Sequence, residues 1–236
     1  FATILMALTL NSFRTVFWIA VIPAFLALAL MIFVKEPENA QLAGQLRSPI
    51  RGADFRQLGT AYWWLVLIAA VLTLARFSEA FLVLRAQNIG LPIALVPLVM
   101  VVMNLAYAVS AYPAGHLSDK MDRRLVLVAG LVVLIGSDIV LALASGVWQV
   151  IVGVALWGLH MGLTQGLLAA LAADTTPSSL RGTAFGVFNF ASGIAMLIAS
   201  FLAGWLWDQY GPQATFYAGA GFATVALFRL MMRRPG

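Results

Sequence analysis

The sequence contains no cysteine and has few charged residues. Without cysteine the chain has no disulfide framework and no thiol chemistry. Charged residues make up 10% of the chain and hydrophobic residues 62%, whereas about a quarter of a soluble domain is charged. Because this polar content cannot cover a soluble core of this size, we predict an all-α polytopic protein that lies in a lipid bilayer.

Recognisable catalytic motifs are also missing. The sequence has no phosphate-binding glycine loop, no metal-ligand cluster and no nucleophile triad. We therefore predict no catalytic residues, no metal, no cofactor and no enzymatic activity. The net charge of +5 could indicate nucleic acid as a partner. However, the basic residues lie between apolar runs, where they indicate orientation in a membrane instead.

Seven apolar runs are long enough to cross the hydrocarbon core of a bilayer, which takes about 20 residues. A shorter run at residues 1–10 reads as the end of a further helix. We predict three segments: helices in 1–34, a polar linker in 35–59 and a six-helix transmembrane domain in 60–236. The seven predicted spans are 15–34, 60–84, 92–114, 125–144, 147–172, 183–206 and 214–232.

Lysine and arginine are distributed unequally between the two ends of these spans. Arg14 and Arg85 fall on one side of the membrane, and Arg76 lies within a span. The positive-inside rule then places four segments in the cytoplasm: the linker, the loop that contains Lys120, the loop that contains Arg181, and the C-terminus. The other 11 of the 14 basic residues share that side: Lys35, Arg47, Arg51, Arg56, Lys120, Arg123, Arg124, Arg181, Arg229, Arg233 and Arg234.

Three segments carry a resemblance to a known family. The sequence GHLSDKMDRR at residues 115–124 resembles the G-x-x-x-D-[RK]-x-G-R-[RK] signature of the major facilitator superfamily, with Asp122 at the usual glycine position. Residues 173–186 are similar to the loop between helices 10 and 11 of many bacterial members. Residues 13–37 look like helix 6 and its exit. In the helix numbering of that family, the resemblance implies that residues 1–10 are the end of helix 5, the first full span is helix 6 and the remaining six spans are helices 7 to 12.

The resemblance also implies how such a protein works. Members pair two six-helix halves and move a small solute between them by alternating access. The partners implied are a small-molecule substrate, a proton, the lipid bilayer and an N-terminal half, in a bacterial inner membrane. It further implies a conformational latch at Gly115, Asp119, Lys120, Arg123, Arg124, Asp174 and Arg181.

The spacing within these loops predicts particular ion pairs. Asp119 and Arg123 are four residues apart, so on a helical turn they would pair. Asp174 and Arg181 would form a similar pair across a short loop. A simpler alternative is that these residues serve only as positive-inside charge and helix-end caps.

Polar side chains inside predicted spans are candidates for a substrate or proton site, because they are costly in hydrocarbon. Arg76 and Glu79 are three residues apart, so we expect them on one helix face, either as a transport site or as a static pair. His160 and Thr164 share a face, and Gln165 is adjacent. The opposite stripe of Gly158, Gly162 and Gly166 predicts close helix packing. His160 is either a substrate or proton group or a buried, hydrogen-bonded histidine. Asn104, Tyr107 and Asn189 could line a cavity or join helices. Asp138 is expected to be a protonated or hydrogen-bonded packing residue, with a transport role as the alternative.

These observations give two hypotheses for function. The first is secondary active transport of a small solute, coupled to protons. Because no ATP-binding motif is present, an ion gradient is the expected energy source. The second is a membrane sensor or scaffold that retains the fold without transporting. The candidate substrate or proton-coupling residues are Arg76, Glu79, His160, Thr164, Gln165, Asn104, Tyr107 and Asn189.

Overall fold

A computed structural model describes residues 13–31 and 57–232, which contain helices and no strand. The prediction of an all-α fold is confirmed. The predicted partial helix at 1–10 and nearly all of the linker at 35–59 lie outside the described residues. The helices are α1 (Phe13–Met31), α2 (Thr60–Leu74), α3 (Ala80–Asn88), α4 (Val96–Lys120), α5 (Arg123–Leu143), α6 (Val147–Asp174), α7 (Arg181–Tyr210) and α8 (Pro212–Met232).

Five helical segments in the described part of the chain are long and apolar enough to cross a membrane. They are α5, α6 and α8, together with α4 and α7 extended by the 3₁₀ turns that precede them, Ile93–Leu95 and Ser178–Leu180. These five segments correspond to the last five predicted spans. The structure is therefore that of a polytopic membrane protein.

The predicted continuous helix at 60–84 is wrong, because the chain unwinds in its middle. Helix α2 ends at Leu74 and α3 begins at Ala80, and Ala75 to Glu79 between them are not helical. The break is held by α7, since the Ser78 amide donates a hydrogen bond to Ser200 Oγ at 3.2 Å. Irregular backbone is tolerated at membrane depth where it is enclosed by protein, and the buried Phe77 side chain shows that this segment is enclosed.

The loop that carries the signature is shorter than its sequence suggests. Helix α4 continues to Lys120 and α5 begins at Arg123, so only Met121 and Asp122 connect them. Asp122 is the N-cap of α5, and its carboxylate accepts a hydrogen bond from the Arg124 amide at 2.9 Å. Its φ of −58° is open to any residue. An aspartate therefore fits where the signature usually has glycine.

The long helices pack in the order α4–α6–α5–α8–α7–α2, with α6 at the centre of one side and α8 at the centre of the other. The buried core is largest where the break meets α6 and α8. There Phe77 packs against Trp157 and Phe216, with ring centroids 5.2 and 5.4 Å apart. Such tilted and edge-on ring pairs are favourable beyond the apolar area they bury. The unwound segment thus forms part of the core of the bundle.

Two glycines bring α4 and α6 into backbone contact. A Cβ at Gly158 would overlap the carbonyl oxygen of Met103 and lie 2.9 Å from Ala106 Cβ. A Cβ at Gly162 would overlap the side chain of Ser110. The glycine stripe predicted from the sequence is therefore confirmed at these two positions. It does not extend to Gly166, which is exposed and would place its Cβ in open space.

Arg85 lies in α3 and is buried, although the sequence placed it among loop charges. Its guanidinium donates to the carbonyl oxygens of Leu141 at 2.9 Å, Ala142 at 3.2 Å and Ala144 at 2.8 Å, and to Asn88 Oδ1 at 2.7 Å. The three carbonyls belong to the C-terminal end of α5, where the helix dipole is negative. No carboxylate in the described residues pairs with Arg85. The helix end itself therefore stabilises the buried charge.

We expect Gly158→Ala to destabilise the protein by roughly 1–3 kcal/mol, because the new methyl group meets a backbone carbonyl that cannot rotate away. Gly166→Ala, at the third glycine of the same stripe, should leave stability unchanged or raise it slightly, because its Cβ would lie in open space. Thermal unfolding of the purified protein in detergent measures both. Equal melting temperatures for the two variants would contradict the α4–α6 contact.

We expect Arg85→Leu to cost roughly 2–5 kcal/mol, because it leaves the last carbonyls of α5 without donors. Arg85→Lys should recover only part of this loss, since an ammonium cannot reproduce the planar set of donors. Arg229→Leu is the matched control, because Arg229 is exposed in α8. The same melting assay compares the three variants, and an Arg85→Lys protein as stable as the wild type would refute the capping role.

Candidate functional site

A small cavity lies between the end of α2 and the middle of α6. Its volume is about 40 Å³, enough for a few water molecules or a small polar group. Of the residues predicted from the sequence, the cavity brings together Arg76 from the second span with His160, Thr164 and Gln165 from the fifth. The lining residues are Leu72, Thr73, Arg76, His160, Thr164, Gln165 and Leu168.

The helix break changes how the charges of Arg76 and Glu79 are accommodated. The two residues do not share a helix face, and no ion pair within 4.0 Å joins them in the described structure. The predicted shared helix face is therefore wrong, although the charge of Glu79 still acts on Arg76 without a direct ion pair. Arg76 instead follows the C-terminal end of α2, and Glu79 is the N-cap of α3. Each charge lies next to the helix end whose dipole has the opposite sign, which stabilises it without direct pairing.

His160 presents one defined tautomer to this site. Its Nδ1 lies 2.8 Å from the carbonyl oxygen of Gly130 on α5, and the ring is 4% exposed. A carbonyl oxygen can only accept, so Nδ1 carries the hydrogen and Nε2 is left as an acceptor when the ring is neutral. Among the described residues, no cluster of three or more metal-ligating side chains adds to this single histidine.

The hydroxyl groups at the cavity have backbone partners. Thr164 Oγ1 donates to the carbonyl of His160 at 2.9 Å, and Thr73 Oγ1 donates to that of Ala69 at 2.8 Å. Both oxygens keep lone pairs that can accept from a ligand. Thr73 was missed from the sequence because threonine commonly bonds to its own helix. Its position three residues before Arg76, hence close to it on the α2 side of the break, was the signal that could have identified it.

Four of the residues predicted for this site do not line the cavity. Glu79 lies at the far end of the break. Asn104 is exposed on α4 and donates to the carbonyl of Met100 in the same helix at 2.8 Å. Tyr107 is half-buried on α4, and Asn189 is exposed on α7. All four are therefore outside the group that lines this cavity.

The predicted latch residues form a different ion pair from those expected. Arg123 Nη1 lies 2.5 Å from Asp174 Oδ2, joining the start of α5 to the end of α6. The expected pairs Asp119–Arg123 and Asp174–Arg181 are both wrong, because this contact uses one member of each. Gly115, Asp119, Lys120 and Arg181 are exposed nearby in sequence.

Arg124 connects the same end of the bundle to α8. Its Nη2 donates to the carbonyl oxygens of Leu230 and of Met231, the latter at 2.8 Å. These are carbonyls of the last turn of α8, which have no partner within the helix. The two consecutive arginines of the signature thus bind two different helices, α6 through Asp174 and α8 through its free carbonyls.

Sequence comparison places these features in a family. A profile of the Major Facilitator Superfamily matches residues 65–236. An uncharacterized MFS-type transporter of Methanocaldococcus jannaschii is 32% identical over 91% of this chain and 54% of its own length. The inner membrane transport protein YajR of Escherichia coli is 26% identical over 91% of this chain and 48% of its own.

A shorter similarity extends to the multidrug transporter protein MdtP of Bacillus subtilis, at 25% identity over 48% of this chain and 21% of that protein. The chain thus spans about half the length of the first two relatives. The profile match covers most of the chain, including the broken helix, the signature between α4 and α5 and the Arg123–Asp174 pair. The chain belongs to the Major Facilitator Superfamily.

Proposed function

We propose that this chain is the C-terminal half of a secondary active transporter that moves a small polar solute across the membrane. The observation that carries the proposal is the arrangement at the helix break. A guanidinium that forms no direct ion pair within residues 13–31 and 57–232, a histidine and two side-chain hydroxyls converge there with Gln165 on one cavity between two helices. Polar groups gathered at membrane depth are typical of a solute pathway.

The small volume of the cavity indicates that these residues form only part of a solute-binding site. Binding sites for small molecules usually enclose about 300–1,000 Å³, and this cavity is far smaller. In our proposal the N-terminal half supplies the opposite wall, and the solute binds between the halves near mid-membrane. The two halves then rock to open the site to one side at a time. Bacterial and archaeal relatives agree with a location in the cell membrane, the inner membrane in a Gram-negative cell.

The chemistry of the cavity favours a solute with hydrogen-bond acceptors, an organic anion above all. Arg76 provides the positive charge and up to five donors. His160 Nε2 provides an acceptor, so a solute that also carries a donor would satisfy both. Glu79, at the start of α3, is the group we propose to bind and release a proton during the cycle.

We also propose that the Arg123–Asp174 pair is a latch that stabilises one of the conformations. Both side chains are partly exposed, so the pair is accessible to water and contributes little to stability when compared with a buried contact. A pair of this strength can open during transport at small cost. The basic ends of α4, α5, α7 and α8 would face the cytoplasm.

The transport proposal is tested with the complete protein in proteoliposomes that contain a pH-sensitive dye. A panel of small carboxylates and matched amines is first screened for ligands that raise the melting temperature. We expect a stabilising carboxylate to drive proton movement into the lumen. Arg76→Ala should abolish both effects, Arg76→Lys should retain part of them, and Arg14→Ala should change neither, because Arg14 lies in α1 outside the cavity.

Two results would contradict this proposal. If no solute in a broad panel moves protons or exchanges across the bilayer, the sensor or scaffold hypothesis is favoured. If transport occurs but Arg76→Ala leaves its KM and maximal rate unchanged, the protein is a transporter whose solute site lies elsewhere.

The latch is tested by charge exchange. We expect Asp174→Arg alone to change the transport rate several-fold, because it places two cations together, while the double variant Arg123→Asp with Asp174→Arg should restore most of the rate. The melting temperature should change little in either variant, since the pair is partly exposed. A double variant no better than the single one would refute the pairing as a functional contact.

A further inference from the structure

Asp138 is a carboxyl group enclosed in the bundle without a hydrogen-bond partner. It lies in the middle of α5, is 0% exposed, and neither of its oxygens has a partner in the structure. Trp157 on α6 is also fully buried, and its Nε1 likewise has no acceptor. Buried polar groups are nearly always paired, so two side chains with three unpaired atoms in one core require an explanation.

The surroundings of Asp138 are shaped to fit the carboxyl group. Gly219 on α8 faces it, and a Cβ at this glycine would lie 2.7 Å from Asp138 Oδ2 and 3.0 Å from Phe77 Cε1. The ring of Phe77, from the helix break, therefore closes the space beside the carboxyl. The same ring packs on Trp157 with a centroid distance of 5.2 Å. Both unpaired groups thus border Phe77.

No charged side chain compensates Asp138. None of the titratable groups on the elements packed around it forms an ion pair with it within the described structure. His160 is engaged with Gly130, more than two helical turns away along α5. The titratable groups on these elements are Arg123 and Arg124 on α5, His160 and Asp174 on α6, Tyr217 and Arg229 on α8, and Arg76 and Glu79 at the break.

An isolated carboxylate in an apolar environment is so costly that the group takes up a proton instead. A second small cavity, of about 10 Å³ and the size of one water molecule, lies beside this site. Phe77 and Gly219 line it and Asp138 does not, so these two residues border both the carboxyl group and this space for water.

We propose that Asp138 is a proton-binding site inside the bundle, and that it exchanges its proton with water only when Phe77 withdraws. In the conformation described here the carboxyl group holds its proton. When the break at Ala75 to Glu79 moves, water reaches the group through the space that Phe77 vacates. The proton passes to that water and leaves a hydrated carboxylate. The site goes beyond the solute cavity, which Asp138 does not line.

Infrared spectroscopy of the complete protein in lipid nanodiscs tests the proposal without any transport measurement. At neutral pH we expect Asp138→Asn to remove one band from the carbonyl-stretch region of protonated carboxylic acids. Asp208→Asn is the matched control and should leave that region unchanged, because Asp208 is exposed on α7. If Asp138→Asn leaves the region unchanged as well, the group is ionised and the proposal is overturned.

Transfer to D₂O tests the role of Phe77. We expect the Asp138 band of the wild type to shift slowly, over minutes or longer, and that of Phe77→Ala to shift within the mixing time. Phe77→Leu, which keeps more of the volume, should be intermediate and provides a second variant if Phe77→Ala does not fold. Phe228→Ala, at an exposed phenylalanine of α8 that does not line the second small cavity, should behave as the wild type. A wild-type band that shifts within the mixing time would overturn the gating by Phe77.

Discussion

Hydrocarbon offers no hydrogen bonds, so every polar group in this bundle must find its partner in the protein or remain uncharged. The contacts described above are different solutions to that constraint. The amide of Ser78 in the unwound segment donates to Ser200, and the guanidinium of Arg85 donates to the last carbonyls of α5. His160 gives its Nδ1 hydrogen to Gly130. Asp138 has no such partner among the described residues, and in our proposal its carboxyl group is therefore protonated and neutral.

The interruption between α2 and α3 links most of these features. Unwinding creates two additional helix ends, and the charges of Arg76 and Glu79 lie beside them. It also turns Phe77 into the core, where the ring contacts Trp157 and Phe216. One segment of five residues therefore borders both the cavity between α2 and α6 and the enclosed carboxyl of α5. A movement of this segment would change the surroundings of both sites together.

The sequence predicted the helices well and their interruptions poorly. Long apolar runs identify spans because hydropathy is a property of the chain itself, and five of the seven runs correspond to single helical segments of sufficient length. The break at Ala75 to Glu79 has no proline or glycine to mark it. It is stabilised by Ser200 and the aromatic core, which are distant in sequence. Spacing likewise predicted that His160 and Thr164 share a face, but spacing within one loop could not reveal that Arg123 binds Asp174, 51 residues later.

The glycine contact between α4 and α6 has a mechanical consequence. At Gly158 and Gly162 the two helices touch through backbone atoms and a small serine, so no long side chain between them can change rotamer to absorb displacement. We therefore expect α4 and α6 to move together as one rigid unit. We expect bending instead at the stretch from Ala75 to Glu79, where the backbone of a predicted span has lost its helical hydrogen bonds.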